Sequence, residues 1–435
     1  MPTSPTDRAL RAGPGGWAAT CSACAAAYPL EDFRWRCDCG GLLDPSSPPL
    51  DPAMLLGAPG STGAPGAPGA AGTPSAAGAP GAPTGTPWSL WRYAGALPPL
   101  AVAGSPAVSM GEGLTPLVPG PGGVWLKLDF VTPTLSFKDR GAAVMVAGMS
   151  AAGVGSVVAD SSGNAGAALA AYAARAGIAA EIFVPASTSP GKEAAIAGTG
   201  ATVRRVEGDR AAATAAAVAR LGETGAVYAS HVHQPLFLHG TKTCAYELWE
   251  QLGGRAPGTV VCAAGNGSMV LGLDLGFLEL QRAGLIERVP RVLAVQAQRC
   301  APLLAGAHQG PAAPGPVAAP GPAAPAASAA AAPAAAAGGP GPTVAEGIAI
   351  ADPPRGTQIL EVLSRTGGRV LLAPEERIGA AQRYLGSQGV DVEPTAAAVW
   401  AAWDLARHAA TGPADEDAPV VVILGGAGVK ARRAP

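Results

Sequence analysis

Short runs rich in Val, Ile and Leu recur along residues 88–304, separated by longer Ala-rich stretches. VWLKLDF, GSVVAD, AEIFVP, ATVRRV, TVVCAA and RVLAVQA have the length and β-branched content of strands. The stretches between them read as helices, and the alternation predicts an α/β fold with a mostly parallel sheet. The pattern resumes at TVAEGIAI and runs to VVVILGGAGVK (420–430), a buried-strand signal followed by a glycine turn.

Two segments interrupt this pattern. Residues 46–87 and 305–342 consist mainly of Pro, Gly, Ala and Ser, too little apolar material to bury a core. The first reads as a disordered linker. The second reads as a surface insertion in a folded unit, which a loop tolerates at modest entropic cost. The expected organisation is a Cys-rich head at 17–45, the linker at 46–87, and two α/β lobes within 88–432. The smaller lobe is expected at about 150–245, with a cleft between the two.

Charge narrows the range of partners. With 29 basic and 31 acidic residues the formal net charge is −2, so no nucleic-acid or membrane-surface footprint is expected. The first residues contain no apolar signal core, and no stretch is long and apolar enough to span a bilayer. A cytoplasmic protein is the expectation, and the Ala-rich surfaces are compatible with a homodimer. There are 7 Cys, an odd number, and they do not resemble a secreted disulfide framework. Cys21, Cys24, Cys37 and Cys39 form two short-spaced pairs that can place four sulfurs around a structural zinc ion. The other reading is four unrelated thiols, but so short a segment holds few apolar residues to fold on its own.

The candidate chemistry lies in three strand–turn–helix junctions. Lys138 sits in PTLSFKDRG (133–141), Ser161, Ser162, Gly163 and Asn164 in DSSGNAG (160–166), and Gly265, Asn266, Gly267 and Ser268 in AAGNGSMVLG (263–272). Each has an ordinary reading when taken alone: a surface lysine paired with Asp139, a helix N-cap, a glycine turn. Together they suit pyridoxal phosphate, with an amine for a Schiff base and a glycine-rich helix start for the phosphate. Burial would favour the neutral amine such chemistry needs. The third junction is not a dinucleotide fingerprint, because its next glycine, Gly272, comes two residues late. His231, His233 and His239 have an H-x-H spacing open to a metal, yet no carboxylate or Cys cluster adjoins them. Glu393 either serves as an acid at a helix N-terminus or, by the family resemblance below, faces the cofactor.

These segments resemble threonine synthases, which are fold type II pyridoxal-phosphate enzymes. WRYAG, VSMGEGLTPL, PTLSFKDRG, SSGNAG, FLHGTKTCAYEL, AAGNGSM, AEGIAI, VEPTAAA and the final GGAGVK follow the family's order, and the Cys-rich head also occurs in this branch. The resemblance implies that Lys138 carries the cofactor and shuttles protons, and that Asn164 meets the cofactor's ring oxygen. Gly265, Asn266, Gly267 and Ser268 would bind the cofactor phosphate, with Gly425 in the last turn. Ser161, Ser162 and Gly163 would hold the carboxylate of an amino-acid substrate. The implied reaction converts O-phospho-L-homoserine and water to L-threonine and phosphate.

The chain departs from the family pattern at several positions. Gly425 stands where a Thr or Ser usually bonds the pyridine nitrogen, and Phe237 where many members carry an Arg for the substrate phosphate. Lys242 and Arg140 are the candidates to compensate for Phe237. Thr132 and Leu135 replace an Asn and a Gly, which places Leu135 where it would crowd the loop, and position 165 is Ala rather than a hydroxyl residue. Two alternatives stand beside threonine synthase. One is a related ammonia-lyase or β-replacement enzyme, resembling threonine/serine dehydratase or cysteate synthase. The other is a binding protein that keeps the fold without turnover.

Overall fold

The Val- and Leu-rich runs form strands in three sheets. The computed structural model describes residues 16–56, 88–304, 342–409 and 418–431. The bulk of both low-complexity tracts, 57–87 and 305–341, lies outside the described residues. In the head, β1 (Ala18–Cys21), β2 (Ala27–Tyr28) and β3 (Leu43–Ser46) form an antiparallel sheet in the order β2-β1-β3. Next come β4 (Leu117–Pro119) and β5 (Trp125–Leu128). Strands β6 (Ser156–Ala159), β7 (Ala179–Pro185), β8 (Thr202–Val206) and β9 (Val227–Tyr228) make a parallel sheet in the order β8-β7-β6-β9. Finally β10 (Thr259–Ala263), β11 (Arg291–Ala297), β12 (Arg369–Ala373) and β13 (Val420–Leu424) join β4 and β5 in the order β12-β11-β10-β13-β5-β4. Only the edge strand β4 of this sheet runs antiparallel.

This topology decides where the site lies. The last strand, β13, inserts between β10 and β5. All three are parallel, so the turns after them emerge on one edge, where ligands of open parallel sheets bind. Those turns carry the Lys138 loop, the Gly265–Ser268 loop and the glycine turn at 425–428. The helix Lys138–Ala151 is buried from Asp139 to Met149 and so shows no polar face. Its start is held by a charged cluster inside the core: Lys127 pairs with Glu247, and Arg140 with Asp129 and Glu247, all with side chains 0% exposed. Thr115 donates to Asp129 at 2.8 Å, so the network is closed, which is what makes buried charge tolerable.

The head extends further than its composition predicts. The linker is expected from residue 46, but Ser46 ends β3 and a helix follows at Pro52–Leu56. Leu55 is 3% exposed, and the Ser47 hydroxyl donates to Glu279 at 2.6 Å. These contacts order a stretch whose prolines alone suggest disorder. Arg355 anchors the head to the large lobe, donating to Leu43 O at 2.8 Å, Asp44 at 2.7 Å and Val232 O at 2.6 Å. Gln234 donates to Phe33 O at 2.8 Å, and Trp35 packs edge-on against Tyr228 and His233. Among the described residues, no helix is long and apolar enough to cross a membrane.

Candidate active site

Lys138 opens its helix directly after the β5 loop, and its Nζ donates to Ser268 Oγ at 2.8 Å. Phe137 and Phe237 flank the amine, with ring centroids 4.4 and 5.7 Å away. The side chain keeps some access to solvent, as a group on a cleft floor does. The protein around it strips enough water to lower its pKa to about 7, against the pull of Glu393. Among the described residues, no carboxylate lies within ion-pair distance of this amine, so near neutrality about half of it is free to act as a nucleophile.

Ser268 is the first residue of the helix Ser268–Arg282. Before it, Gly267 has φ 83°, and a Cβ there would meet Ile359 at 2.5 Å, so only glycine fits this turn. Asn266 Nδ2 lies 3.4 Å from His231 Nε2. The first N–H groups of a helix have no intrahelical partners, and this start points them where a phosphate would sit. The lysine, the turn and the helix start therefore fit pyridoxal phosphate.

Opposite them, Gly163 caps the helix Asn164–Arg175 with no side-chain bond. The structure thus shows no Ser or Asn cap there. Asn164 Nδ2 donates to both oxygens of Glu393 at 3.1 Å. Burial raises the Glu393 carboxyl, while Asn164 and the charges of Lys430, Lys192 and Lys138 oppose the rise. Of its two readings, Glu393 holds both places: it precedes the helix Pro394–Ala409 and reaches the cleft. The turn after β13 is clamped between the two segments, with Phe137 N donating to Gly425 O and Glu393 N to Gly426 O, each at 3.0 Å. A Cβ at Gly425 would lie 2.9 Å from the Phe137 ring, so that ring takes the space of the missing side chain.

Two expected substrate cations lie elsewhere. Lys242 is 1% exposed, donates to Glu279 at 2.8 Å and lies 5.1 Å from the Trp17 ring centroid, beneath the head. Arg140 is committed to Asp129 and Glu247 in the core. Both are excluded as substrate ligands, because each neutralises a buried carboxylate that would otherwise be left unpaired. Phe237 is 1% exposed and presents an apolar wall edge-on to His231. Leu135 adopts left-handed backbone, φ 61°, the conformation a glycine takes easily, and turns a side chain 38% exposed outwards rather than crowding the loop.

The histidines separate. His231 joins the site, His233 packs on Trp35, and His239 packs on Trp17. Sequence spacing gives no sign of this division. Among the described residues, the only group with metal-ligand geometry is Cys21, Cys24, Cys37 and Cys39, whose sulfurs lie within 4.8 Å of one another. The sulfurs of Cys21 and Cys39 are 3.5 Å apart, as are those of Cys24 and Cys37. Zn–S bonds of about 2.3 Å place tetrahedral sulfurs roughly 3.8 Å apart, so the four thiols fit zinc.

A family model described as pyridoxal-phosphate dependent enzyme matches residues 108–426. The chain belongs to that family. Its relatives include the threonine synthase of Methanosarcina acetivorans, 30% identical over 319 residues that cover 71% of this chain and 73% of that protein. The threonine synthase of Mycobacterium leprae is 30% identical over 300 residues, 67% of this chain and 75% of that protein. That of Methanocaldococcus jannaschii is 27% identical, covering 78% and 80%. Among solved structures, a threonine deaminase from T.th. superposes with a TM-score of 0.58 at 24% identity, covering 78% of this chain and 99% of that one. Maize serine racemase does so at 0.58 and 19% identity, covering 76% and 93%. These superpositions show the fold, the two-lobed fold type II arrangement expected from the sequence. The protein is a pyridoxal-phosphate-dependent enzyme.

Proposed function

We propose that this enzyme is a threonine synthase, converting O-phospho-L-homoserine and water to L-threonine and phosphate. The observation that carries the reading is the Lys138 amine, partly neutral and bonded to Ser268 at the mouth of the glycine turn. The threonine synthases among its relatives add the reaction class. Bound pyridoxal phosphate supplies an electron sink that lets protons leave substrate carbons. Lys138 anchors that group and carries protons between those carbons. Gly265, Asn266, Gly267 and Ser268 would hold the cofactor phosphate at the helix start, and Asn164 would bond its ring oxygen. Gly425 shapes the turn beside the ring. Ser161, Ser162 and Gly163 receive the substrate carboxylate at an uncapped helix N-terminus. Movement of the four-stranded lobe excludes water once substrate is bound.

The four head cysteines hold a structural zinc ion in this reading, and cytoplasm is the proposed compartment. The test is release of inorganic phosphate and threonine from O-phosphohomoserine by the cofactor-loaded protein, with Lys138→Ala as control. Equal amounts of both products, lost in the control together with the cofactor absorbance, are expected. Phe237 favours a second reading, an ammonia-lyase or β-replacement enzyme. Ammonia released from serine or threonine, with no phosphate from phosphohomoserine, would establish that reading instead. A spectral response to amino acids without any product would point to a non-catalytic binding protein.

A further inference from the structure

With Phe237 apolar and both Lys242 and Arg140 buried in ion pairs, an anionic substituent on the substrate needs another cation. Besides Lys138, candidates near the cleft include Lys430, Lys192 and Arg210. Lys430 donates to Thr134 O at 2.6 Å, and Lys192 pairs with Glu346. The third is Arg210. It is the first residue of the helix Arg210–Thr224, after the cap Asp209, whose side chain accepts from Ala212 N at 3.0 Å. Thr214 donates both to Arg210 O, at 3.0 Å, and to Asp160, which sets this first helical turn against the loop that carries Ser161 and Ser162. Asp160 also accepts from Tyr228 OH at 2.8 Å, so both of its oxygens are engaged by hydroxyls.

The Arg210 side chain is open to solvent and, among the described residues, makes no hydrogen bond or ion pair. Its neighbours in the same lobe behave differently: Arg204 and Arg220 pair with Glu181, and Arg205 with Glu193. The groups that sense its charge lie on both sides of the cleft: Lys192, His231 and Asp160 in one direction, Cys300 just after β11 in the other. Surrounding protein lowers its pKa, with the charges of Asp160 and Cys300 opposing.

We propose that Arg210 is a specificity-determining residue that binds the phosphate ester of the substrate, taking over at the helix start the role that position 237 cannot serve. A planar guanidinium can grip a phosphate through two parallel N–H···O bonds. The inference rests on the phosphohomoserine reading above and assigns its phosphate a partner.

The test titrates cofactor-loaded wild type, Arg210→Ala and Arg210→Lys with O-phospho-L-homoserine and with L-homoserine, following cofactor absorbance. Wild type is expected to bind the phosphorylated amino acid at least about tenfold more tightly. Arg210→Ala should lose that preference while keeping its resting spectrum and its affinity for homoserine, and Arg210→Lys should recover part of it. In turnover, KM for phosphohomoserine should rise more than kcat falls. If wild type prefers the phosphorylated amino acid and Arg210→Ala keeps that preference, the inference fails alone. If wild type itself shows no preference, the substrate reading fails and the inference goes with it.

Discussion

At the residue scale, the site depends on one amine and one backbone conformation. The Lys138 pKa lies at about 7, below its ordinary value because burial outweighs the attraction of Glu393. The neutral fraction therefore rises from about a tenth at pH 6 to about nine tenths at pH 8. Cofactor loading of the apoprotein, followed by absorbance, should be several-fold faster at pH 8 than at pH 6. A flat profile would show that the amine is not tuned in this way. Gly267 is the second control. Alanine there would have to hold φ 83° and push against Ile359. Gly267→Ala should cost about 2 kcal/mol of stability by urea denaturation and weaken cofactor binding by more than about tenfold. Lys138 is a residue that sequence alone singles out. Glu393 and His231 acquire meaning only when the strand order brings them to the same edge of the sheet.

At the element scale, the head is bound to the segment that supplies His231. Gln234, Trp35, Trp17 and Ser47 connect it to the chain between Tyr228 and Glu279. Arg355 closes the joint by bonding two head groups and the carbonyl of Val232, next to His231. Arg355→Ala would leave buried carbonyl oxygens without donors, a loss of about 3 kcal/mol. Calorimetry should show the lower stability, and Trp fluorescence should show the head loosening at lower denaturant than the lobes. An unchanged transition would mean the joint carries little energy.

At the scale of the whole molecule, acid should act through the buried charge cluster. Burial alone would raise Glu247, but Arg140 and Lys127 outweigh it and hold the carboxyl at about 2. A depressed carboxyl stabilises the fold above its unfolded pKa, and that contribution is lost as pH falls from about 4.5 towards 2. Asp139 works in the opposite sense. Burial raises it to about 6, so it contributes most below its ordinary value of 3.8 and loses that contribution as pH rises to 6. The two effects partly offset between pH 3.8 and 4.5, and the steep loss should begin below 3.8. Urea midpoints at steps from about pH 6 to about pH 2.5 check this, and a loss centred near pH 5 would contradict it.

Much of the fold is legible in the chain itself, because strand and helix periods are local properties. Each strand–turn–helix junction carries its own glycines, hydroxyls or lysine within a few residues, so Lys138, Asn164 and the Gly265–Ser268 turn stand out from the chain alone. The Cys spacing is equally local. Contacts between distant segments cannot be read that way. Nothing in SSPPLDP predicts that Ser47 reaches Glu279, and no spacing shows that Lys242 and Arg140 are spent on buried carboxylates. Arg210 looks like any first-turn arginine until the topology sets its helical turn beside Asp160 with the guanidinium unpaired among the described residues. Sequence by itself determined the element types, the candidate cofactor turns and the family. Tertiary structure decided which charges are neutralised and which remain free, because burial and pairing depend on residues brought together from far along the chain.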